Sequence, residues 1–181
     1  MFVAALKEFS LRKYDLSQLR GGNISGAICS PELVLEVIER MGAKEFGMLY
    51  GSTEGLASLM NAATDPLEQR IRTVGRPLPL CEVKLAPFRP EAGALKEGED
   101  GELCIRGLNL MSSYYHMAEQ TAKTIDAEGW LHSGDLARLD ADGCGRITGR
   151  IKDMIIRGGE NIYPAEVETV LLLHPKVQDA Q

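Results

Sequence analysis

A chain of 181 residues with 44% hydrophobic and 25% charged residues has the apolar content for one packed domain, or one domain and part of a second. Its net charge of -6, with Lys and Arg scattered along the chain, argues against recognition of nucleic acid through a basic face, and no apolar run is long enough to cross a bilayer. Cys29, Cys81, Cys104 and Cys144 lie far apart without zinc-type or paired spacing, so reduced structural thiols are expected.

The opening MFVAALKEF is apolar but is interrupted by Lys7 and Glu8, too soon for a signal peptide. Ser30-Pro31-Glu32 predicts a helix start, with a capping hydroxyl, a proline at the first helical position and an acid near the positive helix end. Leu33, Val37 and Met41, flanked by Val34 and Ile38, fall on one face of that helix, and Gly42 is placed to end it. Residues 45–50 then read as a buried strand running into the loop Gly51-Ser52-Thr53-Glu54-Gly55.

From Arg76 to about Leu139, short strand-like runs alternate with turn signals, among them Cys81 to Ala86 and Glu102 to Arg106. In the latter, the period of two sends Leu103 and Ile105 inward and Cys104 away from the core. Leu136 to Thr148 predicts a hairpin turning at Asp142-Gly143, which also accounts for the glycines from Gly143 to Gly149. Beyond Arg150 come a strand at Met154-Ile155-Ile156, a turn at Gly158-Gly159, and a helix from Pro164 with Val167, Val170 and Leu171 as its apolar face, stopped at His174-Pro175. Residues 150–181 are too few for an independent domain without a disulfide or metal, so the start of an incomplete one is expected.

Three stretches carry chemistry. In Tyr50-Gly51-Ser52-Thr53-Glu54, an aromatic ring can stack on a base, glycine admits close backbone approach, a hydroxyl can donate to phosphate, and a carboxylate can hold magnesium; a polar turn after a strand reads equally well. In His132-Ser133-Gly134-Asp135, the carboxylate can accept both hydroxyls of a ribose, or can serve a plain Asx turn. The run from Gly149 to Pro164 reads as a hinge and loop, or as a basic strand pair at the surface.

Taken in order, Tyr50 to Glu54, Gly101 to Gly107 (GELCIRG), Gly129 to Asp135 (GWLHSGD), Gly149 to Asp153 (GRIKD) and Gly159 to Glu168 (GENIYPAEVE) resemble the acyl-adenylate-forming superfamily, in particular fatty acyl-CoA synthetases of the medium-chain type. Five motifs in one order are far more specific than any single one. The resemblance implies a mixed α/β fold. Residues 1–149 would be the C-terminal part of the large adenylation domain, a sheet and helix portion with a small β-barrel-like region. Residues 150–181 would begin the small C-terminal α+β domain.

The resemblance also implies roles. Gly26 and Ala27 correspond to a loop near adenine, Tyr50 to the residue against the base, Gly51 and Thr53 to the phosphate side, and Glu54 to the magnesium carboxylate. Asp135 and Arg150 correspond to ribose ligands, Lys152 to the hinge between half-reactions, and Gly158 and Gly159 to the coenzyme A channel. The implied chemistry is ATP- and magnesium-dependent conversion of a carboxylic acid to acyl-AMP, followed by transfer to coenzyme A. Two other readings stay open: a non-catalytic AMP-binding or interaction module, and transfer to a carrier-protein thiol. The family's phosphate loop and terminal adenylation lysine are not found between Met1 and Gln181, so a fragment with little turnover is expected. The expected location is the cytoplasm, or the mitochondrion where a transit peptide precedes the chain.

Overall fold

The computed structural model describes residues 1–11, 14–89, 93–96, 98–158, 160–172, 174, 176–177 and 180. Helix α1 (Phe2–Leu11) precedes β1 (Gly21–Ile24), which pairs in parallel with β2 (Glu45–Ser52) through the crossover helix α2 (Pro31–Met41). The start of α2 follows its sequence. The Ser30 hydroxyl accepts from the Leu33 amide at 3.3 Å, Pro31 occupies the first turn, and Gly42 closes the helix at φ 72°. Val34 and Val37 are its buried residues, packed in one core with Ile24, Phe46, Met48 and Ile71. Helix α1, which nothing in the sequence marked, adds Leu6 to this core and sets Phe2 edge-on to Phe46.

The sheet continues through β3 (Leu56–Met60), α3 (Leu67–Arg72) and β4 (Arg76–Pro77) in the order β1-β2-β3-β4. Buried Arg70 on α3 donates to the carbonyls of Lys44 and Phe46 at 2.8 and 2.7 Å, and so ties α3 to the start of β2. A second sheet is an antiparallel meander of β5 (Cys81–Ala86), β6 (Gly101–Gly107), β7 (Leu131–Leu139) and β8 (Gly145–Arg150), with α4 (Ala118–Thr124) between β6 and β7. Leu103, Ile105, Leu131 and Ala137 from this sheet share a core with Leu59 and Tyr50 from the first, so the two sheets are packed together at that point.

The β7–β8 turn forms around Asp140, whose carboxylate accepts from the amides of Asp142 and Cys144 at 3.1 and 2.8 Å, with Gly143 at φ 75°. Cys104 does point away from Leu103 and Ile105, yet it is fully buried: the opposite face of β6 is covered where His132 of β7 lies against it. All four cysteines are free.

A single 3-10 turn (Ile151–Asp153) leads to the hairpin β9 (Ile155–Arg157) and β10 (Glu160–Ile162), then α5 (Pro164–Leu172). Tyr163 packs back on β8, where a Cβ on Gly149 would lie 3.3 Å from its ring. The apolar face expected of α5 is open in this chain: Val167, Val170 and Leu171 are all exposed, because one short hairpin and one helix cannot enclose it. Pro175 lies outside the described residues. Among the described residues no helix is long and apolar enough to cross a membrane.

Burial sets the expected mutational contrast. Phe46→Ala removes a buried ring and should cost about 3–5 kcal/mol, whereas Val170→Ala, 68% exposed, should stay within about 0.5 kcal/mol. Urea denaturation of the two variants checks this.

Candidate functional site

In the register of the parallel pair, Ile24 lies opposite Met48, so the loop after Ile24 and the hairpin tip at residues 53–55 both lie at the carboxyl ends of their strands. Open α/β sheets hold ligands at that end. Tyr50 sits near the end of β2 with its ring in the shared core, 8% exposed, which leaves little of the ring open. Its hydroxyl donates to Asp135 Oδ2 at 2.6 Å. Asp135 on β7 is paired across the ladder with Arg150 on β8, whose Nε donates to Oδ1 at 3.0 Å. Burial, then the adjacent Asp135 charge, push the Tyr50 hydroxyl well above its ordinary range, so it stays a neutral donor.

Glu54 occupies the tip of the β2–β3 hairpin, which is built by contacts distant in the chain. Ser52 Oγ accepts from the Gly55 amide at 3.1 Å, and the Met111 amide donates to the Glu54 carbonyl at 2.7 Å. The Asn109 side-chain amide donates to the carbonyls of Gly55 and Ala57 and lies 3.0 Å from Ser58 Oγ. The Glu54 carboxylate accepts the Tyr114 hydroxyl at 2.7 Å. That bond, joined by the residue's own backbone N–H, holds its pKa below the usual glutamate value. Thr53 is exposed at the hairpin tip. Gly51 has a structural reason to be glycine that its sequence context did not reveal: a Cβ there would lie 2.0 Å from the Leu56 carbonyl oxygen.

Between the hairpin and the second sheet lies a cleft of about 310 Å³ whose lining includes Ser52, Glu54, Tyr114, Lys123, His132 and Ser133. Asp135 follows directly on Ser133 and Gly134, which line it. The structure therefore joins Tyr50, Asp135 and Arg150 in one network and places Glu54 in the adjoining cleft. Tyr114, Asn109 and Lys123 were not singled out from the sequence, because their contacts bridge segments that no local pattern connects. Gly26, at φ 88°, and Ala27 are exposed on the loop after β1 and are not among the cleft's lining residues. Lys152 is exposed in the 3-10 turn that follows Arg150, and Gly158 takes φ 63° in the β9–β10 turn; neither lines the cleft. Gly159 lies outside the described residues.

Glu102, Cys104 and His132 bring metal-type donor atoms within 4.8 Å of one another. Their geometry is that of mutually satisfied hydrogen-bonding groups. His132 Nδ1 lies 2.8 Å from Glu102 Oε2, and Glu102 Oε1 accepts from the Gly134 amide at 3.1 Å. The Cys104 thiol is pushed up to about 12, first by burial and then by the Glu102 charge, which keeps it protonated.

Residues 1–115 match the AMP-binding enzyme family. YngI of Bacillus subtilis (strain 168) is 47% identical over 185 residues, covering all of this chain and 33% of its own length. The mitochondrial medium-chain acyl-CoA ligase ACSF2 of Rattus norvegicus is 44% identical over 183 residues, covering all of this chain and 29% of its own length. Among solved structures, the O-succinylbenzoate coenzyme A synthetase MenE of Bacillus subtilis in complex with AMP superposes with a TM-score of 0.81 at 32% identity, over 98% of this chain and 35% of that one. The chain thus spans about a third of the length of the curated relatives it matches. The match over residues 1–115, together with these full-length alignments of the chain, establishes that it belongs to the AMP-binding enzyme family, with acyl-CoA synthetases among its relatives.

Proposed function

We propose that this chain forms an AMP-facing part of an enzyme that activates a carboxylic acid, a fatty acid in particular, as acyl-AMP and passes the acyl group to coenzyme A. The observation that carries this reading is the Tyr50–Asp135–Arg150 network beside the cleft that holds Glu54. One hydrogen bond fixes each Asp135 oxygen, and each oxygen keeps a free lone pair, enough for two vicinal ribose hydroxyls. Arg150, with its side chain 57% exposed, retains N–H groups for the same ribose. Tyr50 would border the base, with the Gly26–Ala27 loop leaving the sheet on the same side.

In the proposed reaction a substrate carboxylate oxygen attacks the α-phosphorus of ATP, and the bond to pyrophosphate breaks. The thiol sulfur of coenzyme A then attacks the acyl carbon, the bond to AMP breaks, and the thiol proton leaves to solvent. Negative charge builds up at the phosphates in the first step, and preorganised donors there lower its cost. Thr53, exposed at the hairpin tip, and Lys123 in the cleft would supply such donors. Magnesium takes one or two protein carboxylates together with substrate phosphates; of the two that line the cleft, Glu102 is engaged by His132 and the Gly134 amide, so Glu54 would hold the ion, and its charge would offset that of the phosphates. Residues 1–149 would belong to the large domain and 150–181 to the small one. Lys152 would be the hinge between them, and Gly158 and Gly159 would border the path of coenzyme A.

Calorimetry tests the central contact. The chain should bind AMP, and Asp135→Ala should weaken that binding about tenfold or more; a folded chain with no affinity for AMP overturns the reading. With ATP, magnesium and fatty acids of graded length, the chain alone should release little pyrophosphate. Supplying coenzyme A or a carrier protein to any turnover that does appear identifies the acceptor.

The Glu54–Tyr114 bond gives a pH signature. The folded pKa of Glu54 is depressed, so the stability this bond contributes is present above the free glutamate pKa and is lost as pH falls through the folded value. Tyr114→Phe should therefore lower stability at neutral pH by more than it does in acid, read from urea midpoints across the pH range.

A further inference from the structure

Pairing between β6 and β7 sets Glu102 opposite Leu136 and Cys104 opposite His132. Two steps along β6 thus correspond to four along β7, and residues 133–135 face Leu103 alone. This irregularity is a bulge, a device that bends a strand and redirects a side chain. It takes Ser133, Gly134 and Asp135 out of regular alternation, with Gly134 in the left-handed region at φ 73°. Backbone N–H groups in a bulge lose their ladder partners and need others.

Glu102 provides one. Its Oε1 accepts from the Gly134 amide at 3.1 Å, while its Oε2 lies 2.8 Å from His132 Nδ1. Because a carboxylate can only accept, Nδ1 carries the proton. The other ring nitrogen of His132 lies 3.6 Å from Asp126 Oδ2, so the imidazole is held between two acids. One carboxylate, with its side chain 14% exposed, therefore contacts the residues on both sides of Ser133, the second of which, Gly134, immediately precedes Asp135. Ser133 Oγ in turn accepts from the Asp135 amide at 3.1 Å.

We propose that Glu102 is a positioning residue for ribose recognition: its carboxylate holds the bulge through the His132 ring and the Gly134 backbone amide, and the bulge in turn aims Asp135 at the nucleotide. This rests on the reading of Asp135 as the ribose ligand. Glu102 also lines the cleft, and its action on Asp135 is at one remove, through the His132 ring and the Gly134 amide.

The test uses Glu102→Ala, Glu102→Asp and Glu102→Gln with two readouts. The first is amide hydrogen exchange of Gly134 in the ligand-free chain. Exchange should quicken about tenfold or more in Glu102→Ala, the equivalent of about 1.4 kcal/mol. It should quicken less in Glu102→Asp, which keeps the charge but withdraws it by one methylene, and change least in Glu102→Gln, whose carbonyl still accepts from Gly134. The second readout is affinity for AMP against 2′,3′-dideoxyadenosine monophosphate. Glu102→Ala and Glu102→Asp should weaken AMP binding several-fold, leave the dideoxy nucleotide within about twofold, and be rescued in Glu102→Gln.

Equal loss for both nucleotides, or unchanged Gly134 exchange in Glu102→Ala and Glu102→Asp, overturns the proposal. If the unaltered chain itself binds both nucleotides equally, the ribose reading of Asp135 fails, and exchange at Gly134 still decides whether Glu102 holds the bulge. Should Glu102→Ala not fold, Glu102→Asp and Glu102→Gln carry both readouts.

Discussion

Two strands on different sheets end at one carboxylate. Asp135 accepts the hydroxyl of Tyr50, which belongs to β2, and the guanidinium of Arg150, which belongs to β8. Tyr50 lies 85 residues before Asp135 in the chain, and the contact stands at the point where the first sheet and the meander share a core. A buried phenol needs an acceptor, and an acidic group beside the core needs donors. Each satisfies the other, so the relative placement of the sheets and the shape of the site are one constraint. Moving one sheet against the other by an ångström would leave the phenol without its acceptor, while Asp135 would keep Arg150 of its own sheet.

Around that contact, glycine and small polar groups let backbones approach where side chains would block them. At Gly51 the Leu56 carbonyl occupies the space of a side chain, and this closes the hairpin that carries Glu54. Asn109, from the segment after β6, binds the same hairpin through its side-chain amide. The hairpin tip is thus held from the second sheet as the Tyr50 hydroxyl is held from β7. Both loops that face the cleft are braced by residues far away in sequence, which limits the rearrangement needed when a ligand enters.

The C-terminal elements stand apart in character. The β9–β10 hairpin and α5 follow Arg150 by way of one 3-10 turn, and they expose Ile155, Ile156, Val170 and Leu171. Tyr163 against Gly149 attaches them to β8. The Arg89 guanidinium also donates to the Asn161 side chain of β10, so these elements are held by a few polar and aromatic contacts beside an open apolar surface.

Much of this was legible in the chain itself, wherever the physics is local. The Ser30-Pro31 start and Gly42 end of α2, the alternation of Leu103 and Ile105 in β6, and the Asp140 to Cys144 turn each depend on residues within a few positions of one another. The ordered motifs likewise pointed to the AMP-binding family before any coordinates. What the tertiary structure decided is long-range: that α1 joins the first core, that β6 is buried on both faces and Cys104 with it, that α5 leaves its apolar stripe open, and that Tyr114 and Glu102 hold groups around the cleft. A hydrogen bond between positions tens of residues apart leaves no periodicity and no spacing rule behind it. Only the packing of the two sheets brings such partners within reach.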